Sequence, residues 1–426
     1  MVSPDGPAIA IDWNEEDMSL TDGELVYAQQ VSLLMQTEDE EGELVLPQVE
    51  TDSPQPTDLV VSTDADEKEE EEAIEETAEE EKPVEAVKEE KPKRTLSPEV
   101  VKLREQIAGT LAANTKRQLS LQNDTPASLI AYCFAYGADT QVLQQTQAQP
   151  QPGQRRQAAA TTPIFAVGAL CWNYPSGGKT LLRADGKNII AKVGPGLQRK
   201  PGTLLAMFAM SSIAENYEVR VGDTVGTIAD LVASEKSACS ADADMSLALV
   251  GLSFYCDCEE EWTNDFGEKW SIPKMVLAEL LHPADQGTSN ITDQLLGLAC
   301  AVRRFENEGI ELTGPMLDAK KYLESFEKFA VSAQNEQGLW HPRFFLFKGS
   351  SQNQWDTIYS GGHIFRFLAF SLPEEKLTDP LVVKSAKALT DLINKLAATP
   401  AATERQAESL ATALHAIAIY NERLGE

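Results

Sequence analysis

Apolar residues recur along this chain with a helical period, in two different patterns. One set of segments carries a single apolar stripe. From Met316 the stripe runs Met316, Ala319, Leu323, Phe326 and Ala330, with Asp318, Lys321, Glu324 and Lys328 opposite. Another reads Val382, Leu389, Ile393 and Leu396. Such a stripe predicts a helix with one buried and one wet face, suited to an outer layer. These segments open with a hydroxyl residue shortly before a proline, at Ser97-Pro98, Ser271-Ile272-Pro273, Thr313-Gly314-Pro315 and Thr378-Asp379-Pro380. A hydroxyl N-cap accepts from a first-turn amide, and a proline just inside has no amide to satisfy. Residues 224–232 read as a further member without the proline.

The second set is apolar almost all round and rich in small residues: 127–136, 203–213, 246–255, 293–302, 362–372 and 409–420. Helices without a wet face belong inside a larger assembly. The two kinds interleave at intervals of roughly 40–70 residues, the self-similarity of a helical-hairpin array. An open solenoid would keep near-constant unit lengths and expose both layers to water. Here the linkers vary and one helix of each pair has no wet face. The expected body, residues 95–426, is therefore all-α: six inner helices closed into a ring and wrapped by outer ones.

Two inserts interrupt the alternation. Residues 144–162 are rich in Gln, Pro and Ala (Gln144, Gln145, Gln147, Gln149, Pro150) and predict a flexible surface loop. Residues 177–195 place Asp185-Gly186 between two strand-like runs, a β-hairpin signal, expected to lie as a plug over one mouth of the ring.

Charge changes the picture in front of this body. Residues 1–94 hold 30 of the 67 acidic and 6 of the 36 basic residues, so they carry most of the net charge of −31. With blocks such as Glu69 to Glu72, this arm has too little apolar area to offset its ordering entropy and is expected to be disordered. Within it Tyr27, Ala28, Val31, Leu34 and Met35 fall at helical spacing and predict one short amphipathic helix, able to dock on the body or on a partner. An acidic chain is repelled by phosphate backbones, so nucleic acid is not an expected partner. No run approaches the ~18 apolar residues of a spanning helix, so no integral membrane segment is expected. Met1 to Gly6 shows neither a basic n-region nor an apolar h-region, which reads as cytoplasmic as the sequence stands. A true start further upstream would allow export or attachment to the envelope. The six cysteines form no C-x-x-C and are too sparse for a disulfide scaffold.

The stretch Gln334-Asn335-Glu336-Gln337-Gly338-Leu339-Trp340 has the form Q-x-x-x-G-x-W, with Phe329 upstream. It resembles the QW motif of the terpenoid cyclase and protein prenyltransferase class of α/α toroids. The resemblance implies an (α/α)6-type toroid in which Gln334 caps a helix end and stacks on Trp340, Gly338 lying between, so that one outer helix is tied to the next repeat. Gly267-Glu268-Lys269-Trp270 is a degenerate second copy. The chain also resembles bacterial proteins that carry a single such toroid without a cyclase motif. It departs from the cyclases themselves: Asp242-Ala243-Asp244 is followed by Met245, which leaves their acidic motif incomplete. Those aspartates read instead as an N-cap and first-turn charge for the helix from Ser246.

Fold alone does not fix chemistry, and three readings follow. The leading one is a non-catalytic scaffold that binds a protein, a small molecule or a glycan. The second is a carbohydrate-active lyase or hydrolase, with Tyr359 and His363 as an acid/base pair at the ring's mouth and Arg343 beside them. His363 is expected to open an inner helix, just after Gly361-Gly362 turn the chain into it. The third is a zinc-dependent, prenyltransferase-like enzyme with Asp257, Cys258 and His363 as ligands; zinc is the one cofactor considered. Of the other histidines, His282 ends an outer helix, His341 follows Trp340, and His415 lies within the last inner helix. Phosphate-loop, G-x-S-x-G and H-E-x-x-H patterns do not occur.

Overall fold

The computed structural model describes residues 95–426 apart from 116–117, 147–159, 187, 283–287, 345–347, 350, 398–400, 402 and 426. The acidic arm, with the short helix expected in it, and the centre of the Gln-rich segment lie outside the described residues.

The described chain is mostly helical. Its α-helices are α1 (Pro98–Asn114), α2 (Pro126–Tyr136), α3 (Ala166–Cys171), α4 (Thr203–Met210), α5 (Ile228–Ala238), α6 (Ser246–Tyr255), α7 (Ile272–Leu281), α8 (Thr288–Asn307), α9 (Gly314–Ser332), α10 (Gln354–Ser371), α11 (Pro380–Ala397) and α12 (Glu404–Arg423). Even and odd members differ as their patterns demand. In α6 every residue from Ser246 to Ser253 is buried, whereas α9 buries only Met316, Ala319, Leu323, Phe326 and Ala330. The even-numbered helices pack in chain order, α2 on α4, α4 on α6, α6 on α8, α8 on α10 and α10 on α12, and α12 returns to α2. The odd ones lie against them, α5 on α4 and α6, α9 on α8 and α10, α11 on α10 and α12. Ser97 and Ser271 cap α1 and α7 as expected, accepting from the amides of Val100 and Lys274. Thr313 precedes α9 without a side-chain cap.

Close approach replaces bulk where even helices meet. A methyl group on Gly297 of α8 would fall 2.4 Å from the Ser246 carbonyl oxygen, and one on Gly362 of α10 would fall 2.9 Å from the Ala413 amide nitrogen of α12. Gly361 and Gly362 therefore do not turn the chain into a helix. They sit inside α10, which starts at Gln354 behind Asn353, whose side chain accepts from the Trp355 amide. Tyr359 and His363 accordingly lie more than a turn inside the helix.

Four small β-elements decorate the connections. Strands β1 (Leu119–Ser120), β2 (Gln141–Thr146) and β3 (Ala160–Phe165) form one sheet, with β2 and β3 antiparallel and Gln144 opposite Thr162. Both ends of the Gln-rich insert are thus paired strands rather than loop. Strands β4 (Leu182–Asp185) and β5 (Asn188–Ala191) make the hairpin expected at Asp185-Gly186. It packs on α5 and on β6 (Glu218–Val221), with Leu182 and Ile189 buried. β6 pairs with β7 (Thr224–Thr227), which corrects the helix expected over 224–232. The Asp230 carboxylate accepts from the Thr227 amide in a capping box, so α5 starts only at Ile228 and Thr224 to Thr227 are left extended. The last pair is β8 (Trp262–Thr263) with β9 (Lys269–Trp270).

The Gln334–Trp340 stretch closes α9 and meets α11. Trp340 is fully buried and donates from Nε1 to the Ala330 carbonyl at 2.7 Å. Gln334 donates to the Leu381 carbonyl at 3.5 Å, and Ser385 of α11 donates to the Gly338 carbonyl at 2.6 Å. Gly338 has φ +86 with Lys384 against it, a place closed to other residues. Trp340→Ala is expected to cost ~3–5 kcal/mol of stability; an unchanged thermal melt would contradict this packing. Gly362→Ala should lower the melting temperature by overpacking, by roughly 1–3 kcal/mol, in a scan run beside Gly109→Ala, which has open space around it.

Candidate functional site

A charge inside an otherwise apolar helix must find a partner, because burying it alone is prohibitive. Asp293 of α8 and Arg366 of α10 are two such residues. The Arg366 guanidinium meets the Asp293 carboxylate at 2.6 Å, with both side chains less than a tenth exposed. Arg199 and Lys200, in the turn before α4, approach the other oxygen of Asp293 at 3.4 and 3.8 Å. Lys200 also pairs with Asp244 at 2.8 Å. Asp244 accepts from the Ser246 amide and hydroxyl at the start of α6; it stands before the helix rather than in its first turn, and Met245 occupies the N-cap expected of an aspartate. One cluster thus joins the beginnings of α4, α6 and α8 to the middle of α10.

Its electrostatics follow from crowding. Burial would push the Asp293 carboxyl up, but Arg366, Lys200 and Arg199 together hold it below the usual carboxylate range. Burial drives His363 well below the ordinary histidine value, and Arg366 drives it further, so its imidazole is neutral at pH 7. His363 Nδ1 lies 3.3 Å from the Thr292 hydroxyl. The Tyr359 ring stands edge-on to it at 4.8 Å between centroids, and Arg405 of α12 lies over the Tyr359 ring at 5.2 Å. Arg199 lies near the Tyr359 side chain.

The structure therefore brings Tyr359 and His363 together. Arg343 follows the Trp340 loop, where its amide donates to His341 Nδ1 at 3.1 Å. Asp257 and Cys258 follow the end of α6, and the Cys258 thiol interacts with Arg304 and Glu308 at the end of α8. His363 interacts with Thr292 and Asp293 near the start of the same helix. The three zinc candidates are therefore not assembled, and among the described residues no three His, Cys, Asp or Glu side chains are grouped to hold a metal ion. His415 is buried against Phe134, ring centroids 5.4 Å apart. Among the described residues, no helix is long and apolar enough to cross a membrane.

Sequence reasoning passed over Asp293, Arg366, Arg199 and Lys200. The signal was present: lone charges at 293 and 366 within apolar helices, and a basic pair immediately before another. What it lacked was the pairing, which spans 73 residues between Asp293 and Arg366.

No protein-family model, curated protein or solved structure matches this chain.

Two further carboxylates brace the same helix starts from the odd-numbered layer. Glu235 of α5 accepts from the Gly202 amide at 3.1 Å, and Glu279 of α7 accepts from the Met245 amide at 2.8 Å. Burial pushes both up to about 7, against the lowering effect of those amides. Their folded values lie above the unfolded one of 4.5, so the folded chain binds these protons more tightly. Stability should then rise as pH falls through about 7 and level off below about 4.5. Melting temperature measured from about pH 8 to pH 5 should climb in the wild type, and the Glu235→Gln/Glu279→Gln double variant should show a much flatter profile.

Proposed function

We propose that this chain is an α/α toroid similar to the terpenoid cyclase and protein prenyltransferase class, and that it works as a non-catalytic scaffold binding a protein, small-molecule or glycan ligand. Support for the architecture comes from the alternation of fully and half-buried helices, the return of α12 to α2, and the hydrogen bonds that tie the end of α9 to α11 through Gln334 and Gly338. The observation that carries the function is the consumption of charge at the helix starts. Asp293 is taken by Arg366, and Lys200 by Asp244. A general acid or base must reach its substrate, and His363 is buried, neutral and in contact with Thr292 and Tyr359. Such a cluster locks helices together.

The carbohydrate-active reading keeps one specific observation, the contact between Tyr359 and His363. It is tested by incubating the purified protein with polygalacturonate, alginate and neutral polysaccharides while following unsaturated and reducing ends. The scaffold predicts no release above buffer. Release that disappears in His363→Gln but survives in Arg343→Ala would establish an enzyme instead.

A further inference from the structure

Aromatic side chains stand in water where α3 ends, and the chain holds them there. Trp172 follows α3, its amide donating to the Gly168 carbonyl one turn back at 2.9 Å. The next residue, Asn173, sits at φ +52, a conformation most residues avoid. Its side chain is clamped to β4, donating to the Leu182 carbonyl at 3.0 Å and accepting from the Leu182 amide at 2.7 Å. That clamp fixes the turn, in which Trp172 and Tyr174 meet edge to face with ring centroids 6.3 Å apart. The Tyr217 hydroxyl lies against Gly168, and Arg220 of β6 lies over the Trp172 ring at 4.9 Å.

Strand geometry completes the surface. Glu218 and Arg220, two apart on β6, share its outer face and pair with each other, while Val219 between them is fully buried. Val225 of β7 is directly opposite Arg220 and so points the same way. Trp172, Tyr217 and Val225 are 44%, 38% and 58% exposed. They leave on the order of 300 Å² of apolar surface in water, a patch of the size that marks an interaction site.

We propose that two copies of this chain associate through this face. A twofold interface must be its own complement, and Glu218-Val219-Arg220 meets that requirement with one charge of each sign. When two β6 strands lie antiparallel about an axis crossing Val219, each Glu218 stands opposite the other copy's Arg220. Two ion pairs then form across the interface, and Trp172, Tyr217 and Val225 leave the water beside them. Aromatic residues and arginine are the side chains that contribute most at such interfaces. The clamp at Asn173 sets the rings beforehand, so little freedom is lost on association. The face is built from α3, β6 and β7 and their turns, so the proposal stands apart from the toroid and scaffold readings.

Light scattering on the eluting full-length chain tests it. At about 100 µM, where a micromolar dimer is largely formed, the wild type should show twice the chain mass of 46.5 kDa and dissociate on dilution. Glu218→Arg alone sets arginines against each other, and Arg220→Glu alone sets glutamates against each other. Each should weaken the dimer by roughly tenfold or more while melting as the wild type does. Mixed in equal amounts, the two variants should form a heterodimer about as tight as the wild-type dimer, because every arginine then meets a glutamate. Mixing cannot restore the pair within one chain, so this rescue reports the contact between copies. Val225→Glu, which touches neither charge, should weaken the dimer likewise. A monomeric wild type, which would leave the face to another protein, overturns the proposal. So does a dimer indifferent to these substitutions, or a mixture no tighter than its components.

Discussion

A carboxylate that is almost fully buried stays ionised only if cations are brought to it, and Asp293 has three around it. That requirement fixes more than one contact. Arg366 must sit at a defined height along α10, and the turn before α4 must deliver Arg199 and Lys200 at the same level. Lys200 in turn holds Asp244 at the start of α6. Removing one member of a buried pair strands its partner's charge, a loss of about 3–5 kcal/mol, whereas well-packed apolar replacements are often tolerated. The cluster therefore serves registry: greasy helices slide past one another easily, and a shared buried charge fixes their heights.

Packing adds a second constraint. Where α8 meets α6 and α12 meets α10, glycine lets backbones approach to distances that no side chain would allow. The odd-numbered helices need no such closeness. Along α9 one stripe of Met, Ala, Leu and Phe lies on the layer beneath while Asp318 and Lys321 stay in water; α5 and α7 add Glu235 and Glu279, turned inward to helix starts. The two layers differ in composition because their helices face different neighbours.

Much of this was legible in the amino-acid order. The stripe of α9 is the set of residues that is buried, and α6 begins and ends where its apolar run does. Ser97, Ser271 and the Asp185-Gly186 hairpin are local devices, set by neighbours a few residues away. Misreadings arose where two local readings compete. Thr224 to Thr227 can extend or coil, and pairing with Glu218 to Val221 decides it. Gly361-Gly362 looks like a turn until Ala413 is seen to need the space. The site was half legible: Tyr359 and His363, four apart on one helix, meet because of that spacing. Asp293 and its cations come from distant segments, and no local rule joins them.

Chain order sets the sequence in which these contacts become available. Thr125, just before α2, donates to Glu404 of α12 across 279 residues, so this contact waits until α12 is made. The Gly202 amide likewise waits for Glu235, which is made after α4 has emerged. A nascent chain therefore carries α2 with one flank bare until α12 emerges, leaving apolar surface open to water. Only once α12 has been made can it cover that flank of α2.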